Sequence, residues 1–260
     1  MKLHLSIPPL LGLLIATFSI HAADLDPLHA SCFLSASENG KGFRLRIEDR
    51  PCKNDDNCGT MNNDSLSRFT GITLSDLSRD GAQLTAQLTA EAGTFVCAGT
   101  VHDGTLSGSS TLTPDRAFPG RMNSLGFTGF NSEKLLAYTL FDISESWVRS
   151  LKDGGIKGLS TDNLIALRIF HIEPSYATGF TSLGYELPDA DKLIALKVQG
   201  VNAEEVREIR NLGFQPSLDE LIQVRIFHIT PEFIRRMQAR GLHDLTISKL
   251  VQIKIFKLDE

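Results

Sequence analysis

Asp162-Asn163-Leu164-Ile165-Ala166-Leu167-Arg168-Ile169-Phe170-His171-Ile172 is the stretch on which the fold turns. It returns as Asp191-Lys192-Leu193-Ile194-Ala195-Leu196-Lys197-Val198-Gln199-Gly200-Val201. It returns again as Asp219-Glu220-Leu221-Ile222-Gln223-Val224-Arg225-Ile226-Phe227-His228-Ile229. A weaker copy precedes these, from Glu133-Lys134-Leu135-Leu136 to Ile143. A truncated one, Lys249-Leu250-Val251-Gln252-Ile253-Lys254-Ile255-Phe256, follows. Asp162, Asp191 and Asp219 lie 29 and 28 residues apart, a period that signals stacked repeats.

A second series keeps the same register. Gly126, Gly155, Gly184, Gly213 and Gly241 are followed by Phe127, Ile156, Tyr185, Phe214 and Leu242. A glycine just past a helix takes a left-handed conformation that other residues resist, and the next apolar residue folds back on the last turn. These glycines are therefore expected to stop the second helix of each unit. Starts are marked as well. Thr230-Pro231-Glu232 places a cap, a first-turn proline and an acid in order, and Thr113-Pro114-Asp115 repeats that pattern. Ser217 with Glu220 forms a capping box.

Each unit is thus predicted as two short antiparallel helices, such as 218–227 and 231–240. Leu221, Ile222, Val224 and Ile226, with their counterparts, would line the interior. The count is ten helices: a half-unit over 113–127, four full units, and a closing helix at 247–257. Val251–Ile255 also alternates as a strand would, so a strand–helix solenoid is the alternative. Acidic starts and basic later positions favour helices. One unit cannot bury its own apolar face, so the units must stack as an α-solenoid.

Residues 24–112 follow a different pattern, rich in Ser, Thr and Gly. Short alternating runs (Cys32–Leu34, Phe43–Ile47, Leu84–Leu88, Thr94–Cys97) are separated by Asn39-Gly40, Asp80-Gly81 and Asp103-Gly104. They predict five or six antiparallel strands in a small sandwich or half-barrel. The fold class is α+β: a small antiparallel β domain (24–112) followed by a helical-hairpin repeat domain (113–260).

Residues 1–23 read as a signal peptide: Lys2, an uncharged stretch Leu5–Ile20, then small residues at Ala22-Ala23. The expected location is periplasmic or secreted, with no membrane insertion after cleavage. Four cysteines suit that compartment as two disulfides. Of the three pairings, Cys32–Cys97 joining two strands and Cys52–Cys58 stapling a polar loop is the favoured one. No CxxC occurs, which disfavours zinc.

The composition, 42% hydrophobic and 22% charged over 260 residues, excludes a disordered chain and a multispanning membrane protein. A net charge of −5 provides no basic field for nucleic acid. Residues 24–112 carry 7 basic and 12 acidic residues and 113–260 carry 18 and 19, so the acidity belongs to the β domain. No HExxH, GxSxG, P-loop or GxGxxG is present, so no catalytic residue is assigned. His171 and His228 share one repeat position with Asp142, Gly200 and Lys257. A position so tolerant reads as a solvated helix-end turn rather than a metal- or pH-sensitive row. No cofactor is expected. The oxygen-rich Asp55, Asp56 and Asp64 form a weak calcium candidate that lacks the EF-hand spacing.

Glu91-Ala92-Gly93-Thr94-Phe95 with Gly99, Thr113-Pro114 and Leu125-Gly126-Phe127 form one recognisable block. With the repeats of type Leu-Ile-x-Leu-Arg-Ile-x-His-Ile-x-Pro-Glu-Phe, they resemble the extracytoplasmic regions of some bacterial metallopeptidases of the β-lactam-sensing antirepressor family and related secreted proteins. The resemblance covers about residues 82–260. The peptidase motif is missing, so no peptidase activity carries over. The resemblance implies a sensing or interaction module. The expected function is a non-enzymatic binding protein with a protein or peptide partner on the repeat surface. The rival is a periplasmic inhibitor or immunity-type protein that blocks one cognate enzyme. The sequence implies no oligomeric state.

Overall fold

The computed structural model describes residues 25–38, 40–48, 59–62, 67–242 and 244–258. The signal segment, Cys52, Cys58 and the calcium candidates Asp55, Asp56 and Asp64 lie outside these residues. The architecture is α+β. Six strands come first: β1 (Leu28–Ala36), β2 (Phe43–Glu48), β3 (Gly59–Asn62), β4 (Gln83–Ala90), β5 (Gly93–His102) and β6 (Thr105–Pro114). They form one antiparallel sheet in the order β3-β2-β1-β6-β5-β4, not two facing sheets. The β5–β6 hairpin turns on Asp103 and Gly104, at φ 48° and 73°, the conformation that matches the strands' own twist.

Side chains alternate across the sheet. Leu34, Leu45, Leu88, Phe95, Leu106 and Leu112 point into the core, while Thr85, Gln87, Thr89 and Ser109 face outward. Cys32 of β1 and Cys97 of β5 are bonded, although β6 runs between them. In a flat sheet such strands stand roughly 9–10 Å apart. Here the two Cα atoms are 6.1 Å apart, so the sheet is strongly coiled. Two glycines permit this approach. Gly108 lies opposite Cys32 and pairs with Gly99 on its other side. A Cβ on Gly108 would sit 2.0 Å from the Ala98 carbonyl oxygen, and one on Gly99 2.1 Å from that of Ser107. The bridge spans 65 residues, a closure that stabilises the fold by about 4 kcal/mol on the chain-entropy argument.

Strand β6 runs on to Pro114, paired with Gly93, so the sheet extends past the boundary expected at residue 112. Thr113-Pro114-Asp115 is therefore a strand end and not a helix start, which corrects the sequence reading. A proline at the very end of a strand leaves the ladder intact. The next helix starts four residues later.

Among the described residues ten helices follow: α1 (Phe118–Ser124), α2 (Ser132–Leu140), α3 (Glu145–Asp153), α4 (Thr161–Ile169), α5 (Pro174–Thr181), α6 (Ala190–Val198), α7 (Ala203–Asn211), α8 (Leu218–Ile226), α9 (Pro231–Ala239) and α10 (Ile247–Ile255). No strand occurs among them, so the Val251–Ile255 alternation is helical. Ser160 and Ser217 close capping boxes at α4 and α8, and Thr230 caps α9. The five repeat glycines each sit just past a helix at φ between 78° and 93°. After α1, Phe127 N–H donates to Met122 O (3.0 Å) and Gly126 N–H to Asn123 O (2.9 Å). The first helices of each pair end in the same way. Asp142, His171, Gly200, His228 and Lys257 all have φ between 50° and 72°.

Helices two apart are neighbours: α4 packs on α6, α6 on α8, α8 on α10, and α7 on α9. Side chains bond from one unit to the next. Lys134 Nζ meets Asp162 at 2.8 Å, and Lys192 pairs with Asp219. Lys152, Arg210 and Gln238 donate to the last carbonyl of the preceding second helix, at Leu125, Leu183 and Leu212. Tyr138 and Tyr176 donate to the carbonyls of Thr161 (3.0 Å) and Val201 (2.8 Å). The sheet closes one end of this stack. Helix α2 lies against β4, β5 and β6. Arg68 donates to Thr89 O and Thr139 O, both at 3.2 Å, and pairs with Asp142.

Two outcomes follow. Gly108→Val or Gly99→Val drives a side chain into backbone, so each should lower stability by more than about 2 kcal/mol in urea titrations. Unchanged stability would show that the strands do not approach so closely. Burial raises the Tyr138 and Tyr176 phenols above the ordinary tyrosine range, with Asp162 adding to the effect at Tyr138. The folded state thus keeps protons that the unfolded chain loses near pH ~10. The stability these phenols contribute is fully present below that pH and falls as the pH rises through it. The melting temperature should drop more steeply above pH ~10 in the wild type than in a Tyr138→Phe/Tyr176→Phe variant.

Candidate interaction surface

The first helix of each pair buries its fourth and seventh residues, such as Leu221 and Val224 in α8. Two residues on from the seventh, the chain has turned roughly 200° about the helix axis. The ninth residue therefore faces away from the core. In four successive units that residue is a β-branched aliphatic. Ile169 is 38% exposed, Val198 51%, Ile226 49% and Ile255 52%. Ile226 and its counterparts were expected inside, and the structure corrects this. Apolar character alone suggested burial, whereas the angular position decides it.

The cations just before this row are held in place. Arg168 stacks on Trp147 (5.2 Å to the ring centroid), Lys197 on Tyr176 (4.8 Å) and Lys254 on Phe233 (4.1 Å). Arg225 pairs with Glu205 at 3.2 Å. Each thus reaches back to the third residue of the preceding second helix. Arg168 and Arg225 also donate to the Phe141 and Gln199 carbonyls, at 3.1 and 2.9 Å. Phe170 and Phe256 extend the apolar surface by one position, and the left-handed His171 and His228 border it. The surface is therefore an aliphatic row flanked by cations held in place, of which Arg168 also pairs with Glu173 at 3.4 Å and Arg225 with Glu205.

The matching residue of α2, Leu140, is 1% exposed, on the helix that the sheet covers. The sheet thus covers the row at its first member and leaves it open from α4 onward. The repeat glycines lie at the ends of the second helices and do not contribute to it. The His171/His228 position is a left-handed helix end, as its tolerance of Asp, Gly and Lys implied. Among the described residues no group of three or more His, Cys, Asp or Glu side chains converges as a metal site. A separate shallow cleft lies between the ends of α7 and α9, lined by Leu212, Phe214, Gln238 and Leu245. Its Leu212 carbonyl already accepts from Gln238. No protein-family model, curated protein or solved structure matches this chain.

The row and the core make opposite demands on one helix. Ile226→Glu should change stability by less than about 1 kcal/mol, because the residue faces solvent. Val224→Glu should cost more than about 3 kcal/mol, because it buries a carboxylate without a partner. Equal losses in denaturant titrations of the two variants would remove the row from the surface.

Proposed function

We propose that this chain is a non-enzymatic binding protein of the periplasm or the secreted space. Its helical half serves as an α-solenoid that holds a protein or peptide partner, and its β domain serves as the cap of that stack. The carrying observation is the row Ile169, Val198, Ile226 and Ile255. A single exposed aliphatic residue is ordinary. Four at equivalent positions of successive units, beside cations held in place, make a repeated apolar feature of the kind that docks a partner. The Cys32–Cys97 bond suits an oxidising compartment. No described helix is long and apolar enough to cross a membrane. A sensing or regulatory role is the finer form of the same proposal.

Affinity capture from periplasmic extract tests the reading. The wild-type protein should retain a stoichiometric partner that a Val198→Glu/Ile226→Glu variant loses. Equal retention by both would remove the row from the site. Recovery of no partner under mild conditions would count against binding as the function.

A further inference from the structure

Lys152, Thr181, Arg210 and Gln238 share one position, three residues before the repeat glycine of their own unit. The counterpart on the preceding unit, just past its repeat glycine, is Phe127, Ile156, Tyr185 and Phe214 in turn. Where the counterpart is aromatic, a cation covers it in two interfaces. Lys152 Nζ lies 5.9 Å from the Phe127 centroid, and the Arg210 guanidinium 4.5 Å from that of Tyr185. Both cations also donate to the carbonyl before the glycine, at Leu125 and Leu183. Where the counterpart is the aliphatic Ile156, the partner position is Thr181, and Leu187 closes over Gly155, 3.2 Å from where a Cβ would stand.

The interface between α7 and α9 departs from this rule. Phe214 keeps the ring, but Gln238 replaces the cation. Gln238 reaches the Leu212 carbonyl at 3.2 Å, yet its side chain is shorter than that of Arg210 and uncharged. Phe214 also has no hydroxyl to repeat the 2.6 Å bond from Tyr185 to the Pro216 carbonyl. A cleft of 380 Å³ remains here, lined by Leu212, Phe214, Gln238, Leu242, Asp244 and Leu245. It lies between two consecutive units that are both present.

We propose that this cleft is a second binding site, and that it takes the guanidinium of an arginine side chain carried by a ligand. Its lining belongs to second helices and the turns after them, whereas the aliphatic row belongs to first helices. The guanidinium takes the place that Arg210 fills one unit earlier, over the ring and against the Leu212 carbonyl, whose oxygen has a second lone pair. A planar, weakly hydrated guanidinium suits a ring face better than an ammonium does. Asp244 is offset by Lys249, whose Nζ meets the Asp244 carbonyl at 2.8 Å. Recognition therefore rests on the ring and the carbonyl. It does so at Arg210 too, which pairs with no described carboxylate.

The probe is N-acetylarginine methylamide, titrated into the full chain and followed by the methyl signals of Leu212, Leu242 and Leu245. Saturable shifts are expected, with a dissociation constant of about 10 mM or tighter for so small a contact. The citrulline analogue, similar in shape but uncharged, should bind about threefold or more weakly. Gln238→Arg supplies the guanidinium from within and should abolish binding. Gln238 is exposed, so this variant keeps the test clear of misfolding.

Absence of saturable shifts, equal binding of the citrulline analogue, or binding that survives Gln238→Arg would overturn the proposal. If any of these occurs while extract capture still depends on Val198 and Ile226, the cleft is wrong and the binding reading stands.

Discussion

The left-handed residue that closes each helix is the constraint on which the helical half depends. After each of the ten helices a residue of positive φ turns the chain within two or three positions, and in seven of them the next apolar side chain drops into the core. Phe127, Ile143, Ile156, Ile172, Val201, Phe214 and Ile229 are all buried in this way. The turn sets helix length at seven to nine residues, and the fixed length sets the repeat period. Glycine occupies the position after every second helix. After the first helices Asp, His and Lys are tolerated, although the geometry costs a non-glycine residue roughly 1–2 kcal/mol. The 6→1 backbone bond and the burial of the following residue offset that cost.

Stacking follows from the same geometry. Equivalent helices recur at equal spacing, so a single side-chain solution serves several interfaces. Position three of a first helix reaches the acid at position two of the next, and a side chain near the end of a second helix reaches the carbonyl of its predecessor. Most of these pairs are partly solvated, and each contributes little. Their effect is on register: they align units whose cohesion comes from buried Leu, Ile and Val. The sheet enters this scheme as a closing element. It is curved by the Gly99–Gly108 contact and tied by Cys32–Cys97, and it presents β4, β5 and β6 to α2 where another unit would otherwise pack.

That closure gives the stack two unlike ends and one open side. The row at the ninth position is covered at Leu140 and open at Ile169, Val198, Ile226 and Ile255. Identical local sequence thus has different surroundings depending on its place along the stack. The cations beside the row are already engaged by Trp147, Tyr176, Phe233 and Glu205, so their charge is fixed in position rather than free to sweep the surface.

The period, the number of helices, the glycine stops and the strand-joining disulfide are legible in the sequence because each rests on short-range chemistry. A glycine past a helix, a serine or threonine before one, an Asp-Gly turn and a periodic apolar residue act over a few positions. The end of β6 is not legible in this way. Thr113-Pro114-Asp115 has the chemistry of a helix start, but pairing with Gly93 and Thr94 on β5 overrides it. Nor is the side that Ile226 faces. Its apolar character suits a core, and only the packing of Leu221 and Val224 against neighbouring helices fixes which direction is outward. The sequence by itself determined where most of the helices start and stop and which segments alternate as strands. The tertiary structure decided which apolar residues stay exposed, because exposure depends on neighbours that are distant in the chain.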